Sequence, residues 1–179
     1  MQMIGNSRPA SGAEHHCSHL WEMEVINEHI DFYHGEKVGV GLCLVSKVYK
    51  KALNRLKSGN YTIKESVNVE TDLIKKYFKN KTLQDEILKE NTPNLLNSIT
   101  PKILKSKESS IIEALEELPD TSQIIQWMKT VNANTSMTDL TLDEKLKPLT
   151  LRLSPYVRQR LTFMRVLKCY DFYNEIIGD

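Results

Sequence analysis

Apolar residues return at steps of three and four along most of this chain, the period of helices packed on one side. The pattern is clearest after residue 35, where Val38, Leu42, Val45, Tyr49, Leu53 and Leu56 form one stripe. The first half of that segment, VGVGLCLV, is apolar all round, which predicts a helix buried on most sides. KSGN at 57–60 breaks it. Upstream, SGAEHHCSHLWEMEVINEHI begins with Ser11 as a candidate cap and carries an acid early, as a helix start should. Downstream, YTIKESVNVE alternates only weakly. With no partner strand in view, it reads as a loop entering a helix over Glu70 to Phe78.

LQDEILKEN and SIIEALEEL are amphipathic, with Pro93 and Pro119 as stops. Asp120, Thr121 and Ser122 offer caps for QIIQWMKTV, and NANTSMTDLT reads as a polar loop. In LSPYVRQRLTFMRVLKCYDFYNEII, Ser154 is a candidate cap with Pro155 at the first helical position. The pattern there predicts a long final helix with a break near Cys169. Seven glycines and six prolines are all that punctuate the 179 residues. The expected fold is all-α, an antiparallel helical bundle of roughly seven to nine helices in a single domain over residues 1–179.

Composition narrows the function classes. A hydrophobic fraction of 40% supports a core, and a net charge of +1 argues against a dedicated nucleic-acid binder. Cys17, Cys43 and Cys169 are odd in number and far apart, which suits a reducing, cytoplasmic setting better than a disulfide framework. No apolar run approaches the ~20 residues of a membrane span.

All five histidines fall between residues 15 and 34. On a helix, at ~100° per residue, His15, His19 and Glu22 lie within about 60° of one another. Ile26 and Ile30 extend that face, which makes it look inward, while His16 points away as a bystander. A second helix begins just after His34, and a short antiparallel connection would bring its start near the first. Imidazoles gathered in this way suit zinc, nickel or iron, and a catalytic metal usually keeps one open position. The plainer alternative is a set of histidines that are simply hydrogen-bonded in a core. HHCSH is not the H-E-x-x-H of zinc proteases. GVG at 39–41 lacks the third glycine and preceding strand of a dinucleotide fingerprint, so close helix packing is its expected role.

SRPASGAEHHCSHLWE followed by HGEKVGVG resembles the metal-binding core of the sn-glycerol-1-phosphate dehydrogenases, including the bacterial AraM-like enzymes. These belong to a superfamily with iron-containing alcohol dehydrogenases, glycerol dehydrogenases and dehydroquinate synthases. A dehydroquinate synthase would show G-H-T-x-G-H here, so RPASGAEH favours the glycerol-phosphate branch. SPYVRQRLTFMRVL is a weaker match to that family's last helices. The resemblance implies a dehydroquinate synthase-like C-terminal helical domain. His15 and His34 would be metal ligands for zinc or nickel. His19 would line the substrate pocket and relay a proton, with Ser11 and Gly12 near the substrate and Glu22 steadying an imidazole.

The implied reaction interconverts dihydroxyacetone phosphate and sn-glycerol 1-phosphate with NAD(P)H, a step of phospholipid biosynthesis. The family's N-terminal NAD(P)-binding domain and its aspartate ligand have no counterpart here. The chain is therefore expected to be a fragment or truncated reading frame, inactive alone and weak for metal. A homo-oligomer stays open. A related glycerol or polyol dehydrogenase, or a non-catalytic helical interaction domain, would fit the same residues.

Overall fold

The computed structural model describes residues 12–178. Among them the chain is all-α: helices and short 3-10 turns, with one isolated antiparallel bridge between Ile63 and Tyr170 in place of any sheet. Helix α1 spans Ala13–Glu22 and α2 spans His34–Ser58. They are followed by α3 (Thr71–Tyr77), α4 (Lys81–Glu90), α5 (Pro101–Glu116) and α6 (Thr121–Thr130). The chain closes with three shorter helices, α7 (Lys147–Leu153), α8 (Phe163–Val166) and α9 (Tyr173–Ile177).

The first helix is shorter than its hydrophobic period suggests. It stops at Glu22, so Ile26 and Ile30 do not continue a helical face. Glu24 takes φ 53°, and its N–H reaches back to the Trp21 carbonyl. The Asn27 amide donates to that same carbonyl at 3.1 Å. The last carbonyls of α1 are thus satisfied by the following loop rather than by another helical turn. Ser11 lies outside the described residues, and Gly12 is the N-cap.

Helix α2 starts at His34 because Glu36 accepts the Tyr33 backbone N–H at 2.8 Å, one half of a capping box. It ends where Gly59 turns left-handed at φ 67°. Its buried positions include Val40, Cys43, Leu44, Val45, Val48, Ala52, Leu53 and Leu56, whereas Leu42 of the expected stripe is exposed. The loop 132–141 is not wholly polar: Met137 and Leu140 are fully buried.

The long final helix does not form. Ser154–Tyr156 make one 3-10 turn, residues 157–162 run irregularly, and Thr162 then caps α8. Two buried cations account for the break. The Arg165 guanidinium donates to the Pro155 carbonyl at 3.4 Å. The Lys168 ammonium donates to Glu70 at 2.6 Å and to the Arg152 carbonyl at 3.1 Å. Satisfying buried charge overrides local propensity.

Apolar side chains form two cores with α1 between them. Cys17 and Trp21 join the larger one with Val40, Leu44, Val48 and Leu151. Leu20 joins the smaller one with Ile74, Phe78, Leu153, Tyr156 and Val157. The Trp21 indole N–H donates to Thr150 Oγ1 at 3.1 Å, closing the larger core without an orphaned donor. Among the described residues no helix is long and apolar enough to cross a membrane.

Candidate metal centre

Three of the five histidines come together. The His15 and His34 ring centroids are 5.4 Å apart, His19 and His34 5.3 Å, and His15 and His19 6.5 Å. The first two sit one turn apart on α1, and the third is the first residue of α2. Gly41 sets how closely the two helices approach, because a Cβ there would lie 2.6 Å from the Glu14 backbone oxygen. His29 is elsewhere, on an exposed loop, against Glu24.

The expected direction of the face needs correcting. His15, His19 and Glu22 keep side-chain exposures of 27%, 25% and 28%, so their stripe borders solvent rather than core. His16, read from the sequence as a bystander, is instead fully buried, and neither ring nitrogen has a hydrogen-bond partner among the described residues. The reason is the double core. With one lobe on each side of α1, the strip between them opens outward, and His16 falls on the packed side beside Cys17 and Leu20.

Carboxylates orient the rings. Glu22 meets His34 Nδ1 at 2.8 Å with one oxygen and His19 Nδ1 at 3.1 Å with the other. Glu14 meets His15 Nδ1 at 3.0 Å. A carboxylate on Nδ1 selects the tautomer protonated there and leaves the Nε2 lone pair for a metal or a proton. Ser18 Oγ donates to Glu22 at 3.2 Å, and the Lys37 ammonium lies 3.3 Å from the same carboxylate. Burial alone would raise the Glu22 pKa, but the hydrogen bonds from His34 and His19 outweigh it and bring it down to about 2. Burial lowers the His19 pKa, and the nearby Arg158 charge adds to this against the pull of Glu22.

His19, Glu22 and His34 each place one ligand atom within 4.8 Å of the others, a set able to hold a metal ion. Lys37 and Ser18 were missed from sequence although their spacing carries a signal. Lys37 is three residues beyond His34, and Ser18 is four before Glu22, so each shares a helix face with a cluster member. Gly12 caps the same helix, its N–H donating to Glu14 at 3.0 Å.

No family model and no solved structure matches this chain. Curated relatives do. A glycerol-1-phosphate dehydrogenase [NAD(P)+] from Geobacillus stearothermophilus is 29% identical over 99% of this chain and 36% of its own length. The enzyme of that name from Halalkalibacterium halodurans is 29% identical over 93% of the chain and 34% of its own length. That from Bacillus licheniformis is 23% identical over 99% and 33%. The resemblance that rests on residues 7–41 therefore extends along almost the whole chain. This all-α chain is similar, at 23–29% identity, to curated glycerol-1-phosphate dehydrogenases and spans about one third of the length of these relatives.

Proposed function

We propose that this chain is the helical, metal-binding part of an NAD(P)-dependent glycerol-1-phosphate dehydrogenase. The observation that carries the proposal is the convergence of His15, His19 and His34, with Glu14 and Glu22 hydrogen-bonded to their Nδ1 atoms. His15 and His34 are the proposed ligands through Nε2, with Glu14 and Glu22 as their outer partners. Zinc or nickel suits imidazole donors. When bound, such an ion supplies Lewis-acid polarisation of a ketone oxygen.

The chain's own residues then have distinct tasks. Glu22 holds two imidazoles at once, so His34 and His19 keep a fixed relation across the α1–α2 seam. Lys37 and Ser18 hold Glu22 in turn. His19, half-exposed at the edge of the cluster, is placed to pass a proton to an alcohol oxygen through its free ring nitrogen. Gly12 and Ser11 are proposed to border the substrate at the start of α1. The nicotinamide coenzyme is proposed to be held by sequence outside this chain, so the chain alone turns over no substrate.

One alternative ligand set has its own support, since His19, Glu22 and His34 form the compact triple. Cobalt titration of the 179-residue chain separates the two. The proposed set predicts that His15→Ala and His34→Ala both lose cobalt binding and that Glu22→Gln only weakens it. The compact triple predicts loss in Glu22→Gln and none in His15→Ala. For the reaction, the intact gene product should reduce dihydroxyacetone phosphate with NAD(P)H and lose that activity on chelation or in His34→Ala. Preference for an unphosphorylated polyol would overturn the substrate assignment.

A further inference from the structure

A second polar cavity shares no residue with the histidine cluster. It has a volume of about 130 Å³ and opens where the loop after α2 meets α7 and α9. Its walls include Lys64, Glu70, Arg152, Lys168 and Asn174, with the Tyr156 and Tyr173 rings. Pockets for drug-sized ligands begin near ~300 Å³, so this one suits a compact ion. The backbone fixes its walls. The Lys64 N–H donates to the Cys169 carbonyl at 2.8 Å, and the Lys64 ammonium donates to the Lys168 carbonyl at 3.2 Å.

The charge around the cavity is unequal, with three cations on the walls and one carboxylate. Both oxygens of Glu70 are in use, one by Arg152 Nε at 2.7 Å and the other by Lys168 Nζ at 2.6 Å. Lys168 is 3% exposed. Two of its three N–H groups are spent, on Glu70 and on the Arg152 carbonyl at 3.1 Å. The third has no acceptor among the described residues. One shared carboxylate does not offset the burial, which brings the Lys168 pKa down to about 8. Lys64 meets no carboxylate among the described residues. The Asn174 side-chain oxygen accepts from Arg152 at 3.1 Å, which leaves its NH₂ as a donor. The cavity therefore offers ammonium and amide donors, while its acceptors are consumed internally. A buried cation with too few partners favours an incoming anion. Several donors around one small volume match the oxygens of a phosphate.

We propose that this cavity binds a compact tetrahedral oxyanion, a phosphate, between Lys64, Lys168 and Asn174, with Glu70 and Arg152 holding the Lys168 ammonium in place. The phosphate is either the free ion or the end group of a small ester. The site is independent of the dehydrogenase reading.

The test is an NMR titration of the 179-residue chain with inorganic phosphate at constant ionic strength, following backbone amides. Those of Lys64, Lys168 and Asn174 should shift together and saturate. Sulfate should act alike, and acetate should bind more weakly. Lys64→Gln should weaken phosphate binding roughly tenfold or more, the loss expected for a charge-assisted contact, and Lys64→Arg should restore part of it. Asn174→Asp keeps the acceptor for Arg152 but adds a negative charge, and should abolish binding with the circular dichroism spectrum unchanged. Both positions are exposed, so neither variant opens the core. Lys102→Gln, on exposed α5, should change nothing. Glycerol 1-phosphate that repeats the pattern identifies an ester as ligand, and a response to inorganic phosphate alone identifies the free ion. Shifts that never saturate and spread over surface lysines overturn the proposal, as does phosphate affinity unchanged in both Lys64→Gln and Asn174→Asp.

Discussion

Replacing Gly41 by alanine tests whether the closeness of α1 and α2 is what builds the histidine cluster. A Cβ on Gly41 would stand 2.6 Å from the Glu14 carbonyl oxygen and 3.3 Å from both the Glu14 carbonyl carbon and Cys17 Cβ. Carbon and oxygen rarely approach closer than about 3.3 Å, so roughly 0.7 Å must be recovered. Both obstructing groups at Glu14 are backbone in the first turn of α1, so no rotamer change relieves the clash. Overpacking of this kind costs about 1–3 kcal/mol, and backbone obstruction puts Gly41→Ala in the upper half of that range. The gain in helix propensity returns at most ~1 kcal/mol, for a net loss of about 1–2 kcal/mol.

Gly39→Ala is the matched control. Its Cβ would crowd the Met128 terminal methyl at 2.7 Å, the far end of a flexible side chain, and would meet the Asn134 carbonyl oxygen at an ordinary 3.9 Å. It should be neutral or stabilised by up to ~1 kcal/mol. Urea unfolding followed by circular dichroism and by Trp21 fluorescence reads the difference. Since α1 carries His15 and His19 while α2 carries His34, a wedge at Gly41 also moves His34 away from the other two. Gly41→Ala should weaken cobalt binding, and Gly39→Ala should not. Equal stability and equal cobalt affinity in the two variants would refute the argument that this contact sets the cluster.

Other perturbations follow from the same contacts. Glu70 accepts from both Lys168 and Arg152, so Glu70→Ala strands a Lys168 ammonium that is 4% exposed between the Tyr156 and Tyr173 rings. It should lose about 3–5 kcal/mol in urea unfolding, whereas a loss below ~1 kcal/mol would show the network to be dispensable. Burial opposes ionisation of Glu70, but Lys168 and Arg152 outweigh it and hold its pKa below 4.5. The native state therefore binds fewer protons than the unfolded one over that window. The resulting stability is present above pH 4.5 and is lost as pH falls, and an unchanged acid limb in Lys168→Met would contradict this. His16→Leu removes two buried ring nitrogens that have no partner among the described residues, so it should be neutral or stabilising by ~1 kcal/mol. A marked loss of stability would mean that those nitrogens are satisfied in solution.

The elements legible from sequence were those whose boundaries are set by their own residues. Tyr33 to Glu36 starts α2 and Gly59 stops it, each through hydrogen bonds among neighbouring residues. The errors arose where a group outside the helix itself decides. The end of α1 depends on Asn27 folding back to the Trp21 carbonyl, and the final segment breaks because Arg165 and Lys168 need buried partners from Asn94, Pro155, Glu70 and Arg152. The histidine face fails for a related reason. A helical wheel gives the angle between His15 and His16, about 100°, but not which side is packed, and it assumes one core per helix. Here α1 meets two cores, Cys17 and Trp21 in one and Leu20 in the other. The polar stripe of His15, His19 and Glu22 is what remains between them, open to solvent and to a ligand. The shared face of His15, His19 and Glu22 was therefore readable from local spacing, while its exposure to solvent is a product of the tertiary fold.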